Sequence, residues 1–289
     1  MDDRRRIEAA LERAVSIAAK GACPPRLAEA VRYAVFPGGA RVRPLLCMSI
    51  ARACGEHLPD VTDAAAASIE LLHCASLVHD DLPCFDDADT RRGRPSVHAA
   101  YGEPLAVLVG DALIVLAFEH VAATLVDHPQ RLPDLIKSIG RAVGMSGGLV
   151  AGQAWESEPQ IPLAAYHRAK TGALFVAACS AGAASAGHDP ARWLDFGLRL
   201  GEAYQVADDL RDVTSEATSI GKPVGKDRAL DRPSAVRTLG VRAALEHLHK
   251  LIDEALVSIP SCAGANELRA EVRNQVRWFV PKDVAQFAA

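Results

Sequence analysis

The stretch LLHCASLVHDDLPCFDDADTRRGRPSVH, residues 71–98, begins as an apolar helix and then places five aspartates and three arginines in the fifteen residues from Asp80 to Arg94. Pro83 stops the helix, because it has no amide proton and its ring clashes with the preceding turn. At helical spacing His73, Ser76, Leu77 and Asp80 share one face, Asp81 follows, and Asp86, Asp87 and Asp89 fall on the loop beyond. Hard oxygen ligands, with neither cysteine nor histidine at metal spacing, suit Mg2+ better than zinc. Mg2+ held by one or two carboxylates completes its shell with water and substrate phosphate. Arg91 and Arg92, directly behind the aspartates, match phosphate oxygens with their planar forks or, equally well, neutralise the aspartates beside them.

A second cluster, YQVADDLRD at residues 204–212, repeats the theme. Gln205, Asp208, Asp209 and Asp212 are spaced i, i+3, i+4, i+7 and so lie on one helical stripe. Ala203, Val206, Ala207 and Leu210 make the rest of that helix apolar. Three carboxylates on one stripe repel each other, and their pKa values rise unless a cation is present. An exposed acidic face is the plainer reading of this cluster alone. Two aspartate clusters with interleaved cations favour a Mg2+-diphosphate site.

The rest of the chain supports a helical scaffold. It has 289 residues, 49% hydrophobic and 24% charged, enough for a large core. Alternating runs are scarce and aromatics make up only 5%, so the expected fold class is all-α, with roughly ten to twelve helices. Proline and glycine mark the breaks: 22–25, 36–40, the loop after Pro83, 102–104, 128–133, 158–162, 187–190, 219–233 and 258–264. None reads as a linker, so residues 1–289 are expected to form a single domain. A net charge of −4 without blocks gives no reason to expect nucleic acid. The charged, helix-periodic N-terminus does not resemble a secretory signal, and the apolar run from Leu105 is short of the ~20 residues of a membrane span and contains Asp111. Seven cysteines without metal spacing fit a reducing compartment, so no membrane span and a cytoplasmic location are expected.

DDLPCFD (80–86) followed by RRGRP, together with DDLRD (208–212), resembles the two aspartate-rich motifs of the trans-isoprenyl diphosphate synthases. GGARVRP (38–44), VLVGDAL, GLVAGQ (148–153), AKTGALF (169–175) and GKPVGKD (221–227) follow in that family's order, so the resemblance covers most of the chain. The FPGGARVRP variant is similar to geranylgeranyl diphosphate synthases of pigment pathways in photosynthetic bacteria.

The resemblance implies helices around a central cavity, a homodimer, and condensation of isopentenyl diphosphate with an allylic diphosphate. It assigns Asp80, Asp86 and Asp208 to three Mg2+ ions, with Asp81, Asp209 and Asp212 supporting them through water. Arg91, Lys170, Thr171, Gln205 and Lys222 match residues around the allylic diphosphate or the developing cation, and Arg43, His73 and Arg92 match the binders of isopentenyl diphosphate. Ala75 and Ser76, five and four residues before Asp80, would border the growing chain and leave room for a twenty-carbon product.

The chain departs from the family pattern in three places: Ala40 stands where a lysine is usual, Arg232 opens a segment that usually reads Lys-Ser/Thr-Thr-Tyr-Pro, and Glu156 replaces an aspartate. The alternatives are a farnesyl diphosphate synthase, a synthase that cyclises or joins chains head to head, a non-catalytic regulatory subunit, and a phosphohydrolase using His79-Asp80.

Overall fold

The computed structural model describes residues 2–36, 38–214 and 235–276. The elements are α1 (Asp3–Ala18), α2 (Pro25–Val35), α3 (Val42–Ala53), α4 (Pro59–Asp80), α5 (Val97–Tyr101), α6 (Glu103–Thr124), α7 (Leu132–Val143), α8 (Leu149–Ala154) and α9 (Leu163–His167), then a π-helical turn (Arg168–Gly172). They continue with α10 (Ala173–Ala186), α11 (Leu194–Thr214), α12 (Ala235–Leu239), α13 (Val241–Ser258) and α14 (Ala265–Val276). The breaks outside 219–233 fall where proline and glycine place them, and the all-α expectation holds. Residues 219–233, with Lys222 and Arg232, lie outside the described residues.

One feature departs from an all-helical reading. Thr90–Arg91 (β1) pairs antiparallel with Arg94–Pro95 (β2) across a two-residue turn. Arg92 and Gly93 there have φ of 54° and 75°, the positive values that suit such a turn to the twist of a hairpin. Four paired residues are too few for an alternating pattern to register.

The chain forms two compact units, residues 1–140 with 181–190, and residues 141–180 with 191–289. In the first unit α4 is the core: every residue from Val61 to Leu72 is buried, as expected of a helix that is apolar on all sides. Ala64–Ala67 and Ser68 keep its surface small, so α6 packs closely against it. Ser68 Oγ lies 2.7 Å from the Ala117 carbonyl of α6. α1 covers α4 with the stripe Ile7, Ala10, Leu11, Ala14 and Val15. In the second unit α11 packs on α13 and on the π-helical turn, and Arg199 of α11 meets Glu254 of α13 at 2.6 Å.

Burying α4 on all sides also buries its acids, and each finds a cation. Asp63 takes Arg6 at 2.5 Å, and Arg6 also holds Glu56 at 2.6 Å. Glu70, 2% exposed, takes Arg41 at 2.6 Å. Arg41 is itself 2% exposed, bonds Glu8 of α1 at 2.9 Å and donates to the Val35 carbonyl at the end of α2. Burial alone lowers the pKa of Arg41, but the Glu8 and Glu70 carboxylates more than reverse this and keep it charged. One side chain thus ties α1, α2 and α4 to the loop that leads into α3.

Among the described residues, two helices are long and apolar enough to cross a membrane, α4 and α6. The most apolar window of α4 is 83% buried, so it is a core helix, whereas that of α6 is 39% buried. The helix extends well past the run that begins at Leu105, which is why that run understated it. None of the seven cysteines is in a disulfide.

Replacing Arg41 with alanine removes one partner of a buried ion pair and leaves Glu70 uncompensated. Urea unfolding of Arg41→Ala is expected to show a loss of about 3–5 kcal/mol. A loss below about 1 kcal/mol would mean that water already reaches Glu70.

Candidate active site

In the first unit α4 ends at Asp80, and the chain folds back tightly on that end. Asp86 N donates to Asp80 O at 2.9 Å, Asp87 N to Leu82 O at 3.1 Å, and Ala88 N to Asp81 O at 3.1 Å. The loop therefore returns Asp86 to Asp80 despite the proline, phenylalanine and cysteine between them. Asp81 is 2% exposed and forms an ion pair with Arg91, whose Nε lies 3.0 and 3.1 Å from its two oxygens. Burial pushes the Asp81 carboxyl up, and Arg91 offsets part of that rise. In this structure Arg91 neutralises an aspartate, the second of the two roles open to it.

Asp80 and Asp86 are partly exposed and also act on Arg91 through their charge. Their donor set is oxygen only, on backbone held by the folded-back loop, and that fits Mg2+. Among the described residues no three His, Cys, Asp or Glu side chains form a ready-made cage. Two carboxylates that leave the remaining positions to water and phosphate are the usual arrangement for this ion.

Beside the carboxylates lies a cationic set. Arg43 Nη1 is 3.4 Å from His73 Nε2. Burial, then the charges of Arg43, Arg92, Arg91 and Arg41, holds His73 well below the usual imidazole range, so its ring is neutral at physiological pH. Arg92 is carried by the hairpin turn, and the hairpin is pinned by Arg94, which stacks 3.9 Å from the Tyr33 ring centre and donates to the Phe36 carbonyl at 2.6 Å. Tyr33 OH returns a bond to the Pro95 carbonyl at 2.8 Å. Arg43 thus lies against His73, and Arg92 acts on the same ring through its charge. Ala75 is buried, and Ser76 Oγ donates to the His73 carbonyl at 2.8 Å.

The second unit gathers the other set around the π-helical turn Arg168–Gly172. The turn approaches its neighbours closely where they are glycine: a Cβ on Gly201 of α11 would lie 2.7 Å from Gly172 Cα, and one on Gly152 of α8 would lie 2.5 Å from Lys170 N. One turn beyond Gly201, Thr171 Oγ1 donates to Gln205 Oε1 at 2.6 Å, and Gln205 Nε2 donates to Asp209 Oδ1 at 2.8 Å. This relay fixes both the hydroxyl and the amide. Asp209 is buried, whereas Asp208 is partly exposed, with Arg211 at 3.7 Å. The side chain of Asp212 lies outside the described residues.

Lys170 is ion-paired with Glu156 at 2.5 Å, and Tyr166 OH donates to the same carboxylate oxygen at 2.6 Å. Sequence reading noted Glu156 only as a departure. Its role as the partner of Lys170 follows from their approach across α8, which the π turn permits and helical counting cannot show. Tyr166, Arg94 and Arg41 were missed as supports, although the arginine density of 91–94 and of GGARVRP was a signal.

The polyprenyl synthetase family model matches residues 24–267. The chain is 53% identical over 281 residues to a geranylgeranyl diphosphate synthase of Cereibacter sphaeroides, covering 97% of this chain and 98% of that protein. It is 54% identical over 269 residues to one of Rhodobacter capsulatus, covering 93% of each. Among solved structures, a geranyltransferase from Helicobacter pylori complexed with magnesium and isoprenyl diphosphate superimposes with a TM-score of 0.76 and 29% identity, over 96% of this chain and 98% of that one. With two separate aspartate motifs, a distinct cationic set and this breadth of similarity, the chain belongs to the polyprenyl synthetase family.

Proposed function

We propose that the protein is a Mg2+-dependent geranylgeranyl diphosphate synthase, joining isopentenyl diphosphate head to tail to an allylic diphosphate. The observation that carries the reading is that a cationic set, Arg43 against the neutral His73 with Arg92 close enough to act on the same ring, lies beside the carboxylates Asp80 and Asp86 as a second group able to hold a diphosphate. A single-substrate cyclase needs only the second set, whereas a condensing enzyme must hold two diphosphates. The 53% and 54% identity to geranylgeranyl diphosphate synthases supports the same substrate class, and the product in this reading goes to carotenoid or chlorophyll side chains. Intact aspartates in both motifs argue against a non-catalytic subunit. The family model spans residues of both compact units, which supports reading the whole chain as one synthase domain.

In this reading Asp80 and Asp86 would hold two Mg2+ ions and Asp208 would hold a third. Bound Mg2+ supplies positive charge that stabilises the departing diphosphate. The chain's own residues do the rest. Arg43, Arg92 and the neutral His73 hold isopentenyl diphosphate and aim its double bond at the allylic carbon. As the carbon–oxygen bond breaks, the oxygens of Thr171 and Gln205, fixed by their relay to Asp209, face the allylic cation. The double bond attacks, the new carbon–carbon bond forms, and a proton leaves the adjacent carbon for the released diphosphate. Lys170 exchanges Glu156 for diphosphate oxygen when substrate is bound, with Lys222 and Arg232 completing the basic set. Seven cysteines without a disulfide fit a cytoplasmic protein.

The active form in this reading is a homodimer. Leu108 and Val115 of α6, seven residues apart on one stripe, are 53% and 59% exposed, and Val107 adds to the same surface. An apolar helix face of this kind calls for cover, and Asp111, 61% exposed on the same helix, makes lipid a poor cover. A second copy supplies an apolar match. Replacing Leu108 and Val115 together with arginine is expected to give monomers in sedimentation equilibrium, and an unchanged dimer would place the interface elsewhere.

Asp80→Ala and Asp208→Ala are each expected to lower kcat roughly 10²-fold or more, with the melting temperature retained. Near-normal turnover in either folded variant would remove that residue from the metal site. Mg2+ and an unreactive diphosphate analogue together should raise the melting temperature by more than the sum of the two alone, because each binds better in the presence of the other.

Incubation of the wild type with labelled isopentenyl diphosphate and farnesyl diphosphate is expected to yield a twenty-carbon product. Ala75→Phe should shift output to fifteen carbons, since a chain cannot share space with the new ring in a close-packed wall. An active Ala75→Phe enzyme that still makes mainly twenty carbons would place the floor at another residue.

A further inference from the structure

Five arginines crowd the loop Gly38–Gly39–Ala40 and the hairpin beside it, and most are already committed. Arg41 is sunk between Glu8 and Glu70, Arg91 is paired with Asp81, and Arg94 is held by the Tyr33 ring and backbone carbonyls. Arg92 and Arg4 are different. A Cβ on Gly39 would lie 3.0–3.2 Å from the Arg92 guanidinium, so Arg92 rests on the α-carbon of that glycine. Arg4 reaches the same residue from α1: its Nη2 donates to Gly39 O at 2.9 Å, and its Nη1 lies 3.4 Å from Ala40 O. Among the described residues, neither Arg4 nor Arg92 has a carboxylate within ion-pair distance.

The guanidiniums of Arg4 and Arg92 thus meet on one glycine without a carboxylate partner, with Arg43 and a neutral histidine alongside. Like charges so close repel until an anion lies between them. Ala40 is exposed at the tip of the loop and carries no charge of its own, so the cation at this tip comes from α1. Arg4 spends at most two of its five donors on carbonyls, which leaves the remainder of the fork for oxygen ligands.

We propose that Arg4 is a further ligand of the isopentenyl diphosphate site, supplying from α1 the positive charge that Ala40 does not. The proposal rests on the reading that Arg43, His73 and Arg92 hold that diphosphate. α1 is then part of the substrate site as well as a cover for α4, and the carbonyls of Gly39 and Ala40 aim the guanidinium.

The test is steady-state kinetics of the full-length enzyme with isopentenyl and farnesyl diphosphate. Arg4→Gln keeps an amide that can still reach the carbonyls but removes the charge. The expected result is a KM for isopentenyl diphosphate raised about tenfold, with kcat, the allylic KM and the melting temperature nearly unchanged, and with Arg4→Lys near wild type. Adding Ala40→Lys to Arg4→Gln should return most of the lost affinity, because the new ammonium occupies the same loop tip. An Arg4→Gln enzyme with unchanged KM for isopentenyl diphosphate would overturn the proposal. So would one in which both KM values rise together with a fall in melting temperature, since that marks a purely structural brace. Arg43→Ala run in parallel separates the two levels. If it raises the isopentenyl KM and Arg4→Gln does not, only Arg4 is misassigned; if it leaves that KM unchanged, the cationic set itself is misread.

Discussion

The ion pair between Arg41 and Glu70 is the constraint on which the first unit depends. Glu70 sits in the middle of a helix that is buried on all sides, where a lone carboxylate would cost several kcal/mol. Meeting it requires a cation from outside the helix, and the chain delivers Arg41 by bending the loop after α2 into a left-handed conformation, with φ of 54° at that residue. The same guanidinium then caps the end of α2 and bonds Glu8 of α1. Position follows for everything nearby. Gly38 and Gly39 lie against arginine guanidiniums, Arg43 sits in the first turn of α3 facing His73, and the loop tip is left small and bare. A packing requirement thus sets the geometry of the proposed diphosphate site.

The candidate site groups of each unit are held by a common device, a charged or polar side chain fixed by its neighbour before substrate arrives. Arg91 is spent on Asp81, Lys170 on Glu156, and Thr171 on Gln205 and Asp209. The Arg91 and Lys170 bonds neutralise the Asp81 and Glu156 carboxylates directly. They also mean that the groups reaching a diphosphate first are those without a carboxylate partner.

Much of this was legible in the sequence because it rests on short-range rules. Proline and glycine placed the helix breaks, helical spacing put Gln205, Asp208 and Asp209 on one stripe, and the oxygen-only ligand set pointed to Mg2+. What was hidden depends on contacts between segments distant in the chain. Arg41 and Arg43 are two residues apart and alike in chemistry, yet one is buried among acids and the other faces a histidine, and only the fold of α1 onto α4 decides which is which. Glu156 and Lys170 are fourteen residues apart across a loop. Thr90–Pro95 forms a hairpin too short for alternation to register, although Arg92-Gly93 is a turn that tolerates positive φ.

The π-helical turn at Arg168–Gly172 has a consequence for how this part of the chain can change. A turn that carries one residue more than the helix around it offsets every later side chain by about 100° relative to a continuous α-helix. Deleting any single residue from the turn would restore regular winding with little loss of backbone bonding, yet it would rotate Lys170 and Thr171 relative to α10 and separate them from Glu156 and Gln205. The segment is therefore closed to length change: a register mark, where one residue more or fewer would leave the backbone helical and its second set of candidate groups facing the wrong way.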